Sequence, residues 1–278
     1  MAIELATKYL PYVDEIFTKE SRRGLITNQD FSWDGAHTIK VYSVTTAGMN
    51  DYNRKGEETG NWSRYGEVEG LDATTQAMSL RKDRSFTFAI DRLDTDETAQ
   101  QVQASTALAR QLREVVIPEV DSWVYNEMCE NAGTVAAPKA LTASNILDEI
   151  MEANRVLDNA FVPDTGRNLI VTPDVYMLMK KSKDIIMETD VTAEMRLRGV
   201  IATIDGANII RVPANRLPAE FGFLLAHSVA TVAPVKLESY KIHQDPPGIS
   251  GALVEGRINY DAFVLNNKAK ALYYQPQA

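Results

Sequence analysis

The stretch REVVIPEVDSWVYNEM, residues 113–128, has the apolar spacing of an α-helix on both sides of a proline. Pro118 removes one backbone N–H donor, and its ring crowds the carbonyl oxygen of Glu114, which costs about 3 kcal/mol in a helix interior. A proline is found inside a helix mainly where the helix bends. We therefore predict one long helix over residues 96–131 with a bend at Pro118. The alternative is two helices that meet at Ile117.

Signals at both ends agree with a single long helix. Asp94 is a candidate N-cap, Glu97 follows three positions later, and acids in the first turn favour the positive end of the helix dipole. Gly133 is a candidate for the C-terminal cap. The apolar residues between these ends recur at the spacing of one helix face: Val102, Ala109, Leu112, Val116, Val120, Trp123, Val124 and Met128. We expect this face to be buried along its whole length.

Two segments upstream of the helix predict β-strands. In residues 38–43, Ile39, Val41 and Ser43 alternate with Lys40 and Tyr42, and in residues 78–90 the apolar side chains share the even positions: Met78, Leu80, Phe86, Phe88 and Ile90. Residues 50–70, between them, are rich in glycine and charge. The simplest arrangement is a two-stranded arm with a polar tip. Because an isolated two-stranded hairpin is marginal in water, its apolar face needs a covering surface on the same chain or on another molecule.

The chain beyond the long helix has the pattern of an α/β domain. Helical spacing over residues 144–160 and 173–183 encloses a short buried strand at residues 169–171. A hairpin signal with its turn at residues 205–206 and an apolar strand at residues 221–226 complete this segment. Alternating segments return near the end of the chain. We therefore predict that the chain leaves one domain, builds a second and then returns to the first.

Composition and motifs exclude several functional classes. The 38 acidic and 29 basic residues give a net charge of -9, which disfavours a surface that binds phosphate backbones. The single cysteine, Cys129, forms neither an internal disulfide nor a cysteine-rich zinc site. The three histidines, His227 among them, lie outside any catalytic, nucleotide-binding or metal-binding motif. We expect Cys129 and His227 to be structural, and we predict no catalytic residue, metal or cofactor.

The order of these parts resembles the major capsid proteins of tailed bacteriophages, whose fold is shared with encapsulin shells. Three stretches carry the resemblance best, at residues 116–125, 226–236 and 259–274. The resemblance implies an α+β tailed-phage major capsid fold. Its expected parts are an amino-terminal arm (1–37), an extended β-hairpin loop (38–91), a peripheral domain with a long spine helix (92–138), an axial α/β domain (139–235) and returning strands of the peripheral domain (236–278).

The resemblance also implies a function. We expect a self-assembling major capsid protein without enzymatic activity, which forms an icosahedral shell of pentamers and hexamers in the virion. The shell would be assembled in the host cytoplasm without a membrane and would enclose double-stranded DNA without sequence-specific binding. Portal and scaffolding proteins are the expected partners, and the latter are separate or unnecessary because only about 35 residues precede the loop. The alternatives are an encapsulin-type compartment and a cytosolic α/β enzyme.

The resemblance finally points to residues that join subunits, because the family's extended loop lies across a neighbouring subunit. The candidates at the loop tip are two aromatic and three basic residues: Trp62, Tyr65, Arg54, Lys55 and Arg64. For the basic residues the alternative is a role in solubility alone, since exposed ion pairs contribute only about 0 to 1 kcal/mol. The expected bend at Pro118 would fit the helix to a curved shell wall.

Overall fold

The computed structural model describes most of the chain, namely residues 21–28, 38–54, 63–66, 68–92, 104–182 and 200–278. The chain divides into two compact units: residues 36–79 form the smaller unit, and residues 1–35 and 80–278 form the larger unit. Most of the predicted amino-terminal arm lies outside the described residues. The same holds for Lys55, Trp62 and the predicted first turn of the long helix.

The smaller unit contains the predicted antiparallel hairpin. Strand β1 (Thr38–Val44) pairs with strand β2 (Ala73–Ser79) in register over their whole length. The hydroxyl oxygens of Thr38 and Ser79 lie 2.7 Å apart at the open end of the pair. At the other end, the amide of Thr45 donates to the carbonyl oxygen of Asp72 at 2.9 Å. The chain therefore enters and leaves this hairpin at one point.

Strand β3 (Lys82–Asp91) belongs to a different sheet from β2. It pairs antiparallel with β11 (Gly251–Tyr260), which also pairs with β10 (Val235–Gln244). The alternating pattern predicts a single strand over residues 78–90 in the arm, and the pairing corrects this prediction. The strand is interrupted at Leu80 and Arg81, and β3 is the edge of a three-stranded sheet in the larger unit.

The long helix continues through the proline. Helix α1 (Ala104–Gln111) passes into one π-helical turn (Leu112–Val116) and then into helix α2 (Ile117–Glu130); we call the three together the spine helix. The amide of Ile117 donates to the carbonyl oxygen of Leu112, five residues back, so the wider turn lies immediately before Pro118. A π turn accommodates a residue that lacks the regular backbone donor. The two-helix alternative is therefore wrong, whereas the bend stays a prediction.

The spine helix packs on the three-stranded and six-stranded sheets of the larger unit, as its predicted apolar face requires. Its first part packs on the three-stranded sheet, and the buried helix residues there are Leu108, Leu112, Val116, Ile117 and Val120. Its last turns pack on a six-stranded sheet through Val124, Tyr125, Met128 and Cys129. Helix α2 ends with Asn131 as its cap, so the predicted cap at Gly133 has another role. The amide of Gly133 donates to the carbonyl oxygen of Ala269 at 2.9 Å.

The six-stranded sheet has the order β4-β13-β8-β5-β7-β6. Its strands are β4 (Thr134–Val135), β5 (Arg167–Val171), β6 (Val200–Ile204), β7 (Ala207–Arg211), β8 (Phe221–His227) and β13 (Leu272–Pro276). A separate short pair joins β9 (Thr231–Val232) to β12 (Phe263–Val264). Residues 236–278, expected as one set of returning strands, thus contribute to more than one sheet, because β13 pairs with β4 and β8.

Two further helices cover the other face of the six-stranded sheet. Helix α3 (Ile146–Asn159) and helix α4 (Pro173–Lys181) share an apolar core with it. The hairpin of β6 and β7 turns at Asp205 and Gly206, whose φ angles of 47° and 75° are those of a tight turn between twisted strands. The predicted helices and hairpin of this segment are confirmed. The sheet is sandwiched between the spine helix and the α3 and α4 pair.

Candidate subunit-interaction surface

The smaller unit carries most of the exposed apolar side chains. Among the described residues, twelve large hydrophobic side chains are exposed, and seven of them lie in the smaller unit. These seven are Tyr42, Val44, Met49, Tyr52, Tyr65, Val68 and Leu71. Exposed apolar groups concentrated in one region mark a surface that binds another protein. The smaller unit is therefore the candidate interaction surface.

The hairpin presents one face with little cover. Along β1 the side chains alternate between exposed and half-buried. Tyr42 is 70% exposed and Val44 is 59% exposed, and they lie opposite Thr75 and Ala73 of β2. Because successive side chains of a strand point to opposite faces, Tyr42 and Val44 share a face. Two exposed apolar side chains on one face of the hairpin suit contact with a surface outside it.

The tip of the smaller unit brings three predicted contact residues close together. The amide of Asn53 donates to the carbonyl oxygen of Arg64 at 3.0 Å, so the two segments of the tip run side by side. The rings of Tyr52 and Tyr65 meet edge to face, with centroids 5.0 Å apart. Arg54, Arg64 and Tyr65 are all exposed. Their role in contacts between subunits stays a prediction, as does that of Lys55 and Trp62, which lie outside the described residues.

A polar cluster around the buried Asp261 lies where the larger unit resumes after the hairpin. Asp261 is 1% exposed, and its carboxylate accepts from the backbone amide of Arg81 at 2.9 Å and from the Arg81 guanidinium at 2.9 and 3.1 Å. It also accepts from the Trp123 indole at 2.8 Å and from the Ala262 amide at 2.9 Å. Arg81 also donates to Glu127 at 2.8 Å. This Asp261 cluster fixes the start of β3 to the spine helix.

The local sequence does not predict the Asp261 cluster. Trp123 is predicted only as a residue of the apolar helix face, although its indole N–H also supplies a hydrogen bond. Asp261 lies within the stretch 259–274 that carries the resemblance, yet no local motif marks it. Its main partner, Arg81, is 180 residues away in the sequence, so only the tertiary structure brings the two together. One signal for a buried carboxylate is present in the sequence: Asp261 stands between apolar residues that are predicted to be buried.

The electrostatics of Asp261 predict an acid-dependent stability. Burial raises the pKa of Asp261, but the hydrogen bonds from Arg81, Trp123 and Ala262 outweigh burial and hold the pKa below its ordinary value. A carboxylate with a lowered folded pKa stabilises the protein above its unfolded pKa, and this contribution is lost as the pH falls through the folded pKa. We therefore expect the unfolding free energy of the subunit to fall below about pH 4.

Comparison with the Asp261→Asn variant isolates this contribution. The neighbouring Glu127 has a pKa raised mainly by burial, which gives the opposite pH dependence, and both proteins retain this residue and its burial. Urea unfolding of both proteins at about pH 3 and about pH 7 is the measurement. The variant should lose less stability than the natural protein between the two pH values. Equal losses would show that Asp261 does not cause the acid sensitivity.

His227 and Cys129 have surroundings typical of residues with a structural role. The two ring nitrogens of His227 are used by the backbone, since Nδ1 accepts from the Val229 amide at 3.2 Å and Nε2 donates to the Thr165 carbonyl oxygen at 2.9 Å. Burial raises the pKa of the Cys129 thiol to about 12. Within the described residues, no group of three or more histidine, cysteine, aspartate or glutamate side chains is placed to hold a metal ion. No helix in the described part of the chain is long and apolar enough to span a membrane.

The chain matches the family model described as phage capsid protein over residues 74–275. No curated protein sequence matches it at a significant level. The matched span begins in β2 and includes the spine helix, the three-stranded sheet and the six-stranded sheet.

Several solved structures share this fold. A structure from Mycobacterium phage Che8 aligns with a TM-score of 0.70 at 18% identity, over 90% of this chain and 89% of that chain. The capsid structure of the cyanophage P-SCSP1u aligns with a TM-score of 0.68 at 14% identity, over 91% and 86%. A virus-like particle from Pyrococcus furiosus aligns with a TM-score of 0.60 at 12% identity, over 98% and 100%. At these identities the likeness shows the fold.

The family match and the shared fold together confirm the expected class of protein. They support a structural role as a major capsid protein, assembly into a multimeric shell and a location in the virion capsid. An encapsulin-type compartment is not favoured, because the matching family model is one of phage capsid proteins. Since that model covers well over half of the sequence, the chain belongs to the phage capsid protein family.

Proposed function

We propose that this protein builds an icosahedral shell of pentamers and hexamers in which the smaller unit lies across a neighbouring subunit. The observation that carries the proposal is the concentration of exposed apolar side chains between Tyr42 and Leu71. A second copy of the chain would cover these side chains. The same arrangement gives Arg54, Arg64 and Tyr65 contacts at the tip, and the predicted bend at Pro118 would follow the curvature of the wall.

The energetics of such a shell favour many modest contacts over a single tight one. Burial of apolar surface contributes about 25 cal/mol per Å², so a few aromatic or aliphatic side chains stabilise each contact by several kcal/mol. Contacts between different surfaces of identical subunits close into rings, and the rings share subunits with their neighbours. Simultaneous engagement of several weak sites then raises the overall stability well above that of one site.

The proposed partners follow from the net charge of the chain and from the lack of recognisable catalytic or cofactor-binding motifs in its sequence. A net charge of -9 suits a wall that confines double-stranded DNA without gripping its phosphates. We infer that the protein is not an enzyme and that it takes no cofactor. Portal and scaffolding proteins are its proposed partners, and the shell is proposed to assemble in the host cytoplasm without a membrane.

The double substitution Met49→Glu and Leu71→Glu tests the proposed contact. Met49 is 102% exposed and Leu71 is 62% exposed, so the isolated subunit should fold normally. In the shell both charges would be buried against a neighbour. Because each apolar side chain is worth about 1.5 to 3 kcal/mol when buried, we expect the yield of particles to fall by more than about tenfold.

Light scattering after size-exclusion chromatography, with negative-stain imaging, measures the yield. The matched control is Met151→Glu, because Met151 is 55% exposed on helix α3 of the larger unit. The control should assemble as the natural protein does. Normal particles from the double variant would refute the proposal that the smaller unit joins subunits.

A further inference from the structure

The turn after helix α3 displays an aromatic side chain at a strained position. Phe161 is 95% exposed, and its φ angle of 58° lies in the left-handed region. Bulky residues rarely adopt this conformation, and strain of this kind persists where the surrounding structure enforces it. Neither the exposure nor the strain benefits the isolated subunit. A contact outside the subunit would account for both.

A buried arginine holds this turn, and we call residues 158–164 the Phe161 turn. The Arg167 side chain is 3% exposed, and its guanidinium donates to the carbonyl oxygens of Val162 at 2.6 Å and Pro163 at 3.0 Å. It also bonds the carboxylates of Asp158 at 2.7 Å and Asp164 at 3.0 Å. Since these bonds lie on both sides of Phe161, the ring is presented by a rigid support. A preorganised aromatic side chain loses little entropy on binding.

Helix α4 presents a patch of complementary chemistry. Met177 is 49% exposed, and the half-buried ring of Tyr176 lies beside it in the sequence. The Lys180 ammonium lies 5.1 Å from the centre of that ring and the Arg211 guanidinium lies 5.6 Å from it. We call Tyr176, Met177, Lys180 and Arg211 the α4 patch. Methionine adapts its shape to an incoming aromatic ring, and cations beside a ring favour acidic neighbours.

The two surfaces lie at opposite ends of the same strand. The Phe161 turn precedes β5, which starts at Arg167. Helix α4 begins directly after the other end of β5, where Val171 is registered against Arg211. Five residues of strand separate the ends by roughly 16 Å. One chain therefore does not bring its own two surfaces together.

The charges of the two surfaces have opposite signs. The Phe161 turn has Asp158 and Asp164 around the buried Arg167, and Asp205 lies close by through its bond to Asn154 at 2.9 Å. Three acids thus surround one base. On the other side, the bases Lys180, Lys181 and Arg211 accompany one acid in the first turn of the helix, Asp174. The acidic residues around the exposed Phe161 ring therefore complement the basic residues of the α4 patch.

We propose that the Phe161 turn of one subunit docks on the α4 patch of the next copy of this chain. Phe161 packs on Met177 and Tyr176, while Asp164 faces Lys180 and Arg211. Two different surfaces at opposite ends of one sheet give a head-to-tail contact, which closes into a ring when repeated. The contact deepens the proposed ring assembly and rests on it, but it is independent of the smaller unit.

A cysteine pair tests the juxtaposition directly. The double variant Phe161→Cys with Met177→Cys is assembled and oxidised, and denaturing gels without reductant reveal the products. Cys129 is 4% exposed, so the natural thiol does not compete. Disulfides form only when the Cα atoms approach to about 4.4 to 6.8 Å. We expect a ladder of covalent multimers from the double variant and only monomers from either single variant.

The outcomes separate this inference from the proposed function. Particles of the double variant without a ladder would overturn the docking contact and leave the proposed shell intact. Covalent dimers from Phe161→Cys alone would also overturn it, because the turn would then meet its own copy. Failure of the natural protein to form any particle would instead remove the proposed function.

Two substitutions at Phe161 cover the case in which the cysteine variant does not assemble. Asparagine tolerates the left-handed conformation, so Phe161→Asn should leave the melting temperature of the unassembled subunit unchanged or higher. The particle yield of this variant should fall by more than about tenfold, because the anchor is lost. Phe161→Tyr should keep the yield. Wild-type yield from Phe161→Asn would refute the inference.

Discussion

Substitution of Asp261 by alanine is expected to lower the unfolding free energy of the subunit by about 2 to 4 kcal/mol, a large part of the stability of a typical domain. The Asp261 carboxylate accepts five hydrogen bonds, three of them from Arg81. Its removal leaves the Trp123 indole and the amides of Arg81 and Ala262 without their acceptor. A buried donor that loses its acceptor incurs the full cost of desolvation, which is larger than the net value of the bond.

The matched control for this prediction is Asp83→Ala. Asp83 also pairs with an arginine, Arg257 of β11, with Oδ1 at 2.9 Å from Nε, but both side chains lie at the surface. Water replaces the lost partner there, so the change in stability should be small. Urea unfolding of the unassembled subunits measures both variants. Similar losses for the two substitutions would contradict a special role for the buried cluster.

The second large effect is expected from Gly133→Ala. A Cβ atom at this position would lie 2.5 Å from the carbonyl oxygen of Ala269 and 2.6 Å from the amide nitrogen of Lys270. Both neighbours are backbone atoms, so neither moves aside as a flexible side chain does. The chain at Gly133 and the segment at Ala269 and Lys270 would have to move apart. We expect a loss of about 3 kcal/mol, the upper end of the range for an overpacked site.

Gly24→Ala is the control for this substitution. A Cβ atom at Gly24 meets nothing within 4 Å, and its backbone has no left-handed conformation that would oppose alanine. Its effect should stay within about 0.5 kcal/mol. Thermal unfolding followed by circular dichroism compares the two variants. If Gly133→Ala were as stable as Gly24→Ala, the close backbone approach would not be the reason for the glycine.

Local pattern predicted much of the larger unit. Helices α3 and α4 and the turn at Asp205 occur where periodicity and turn residues place them, because each of these signals acts over a few neighbouring residues. The spine helix was predictable for the same reason, since its apolar face continues across Pro118. The π turn was not, because a proline inside a helix is compatible with a bend, a break or a wider turn, and the local sequence does not select among them.

Pairing over long distances was not predictable from the sequence. Residues 82–91 alternate like a strand of the arm, yet their partner is β11, and alternation does not identify a partner. The strand β13 reads like its neighbours β10 and β11 but pairs with β8. Phe161 was missed for a related reason: its exposure follows from a backbone conformation that its residue type does not suggest. In each case the tertiary context, and not the local sequence, determines the strand partner or the exposure of the side chain.

The hydroxyl contact between Thr38 and Ser79 has a consequence for how such proteins diversify. A segment whose entry and exit lie side by side is exchangeable, because a short turn could close the gap without stretching the rest of the chain. Mutation could therefore lengthen, shorten or replace the hairpin while the larger unit keeps its packing. Such a change would leave the fold of the larger unit intact and would alter only the proposed contacts between one subunit and the next.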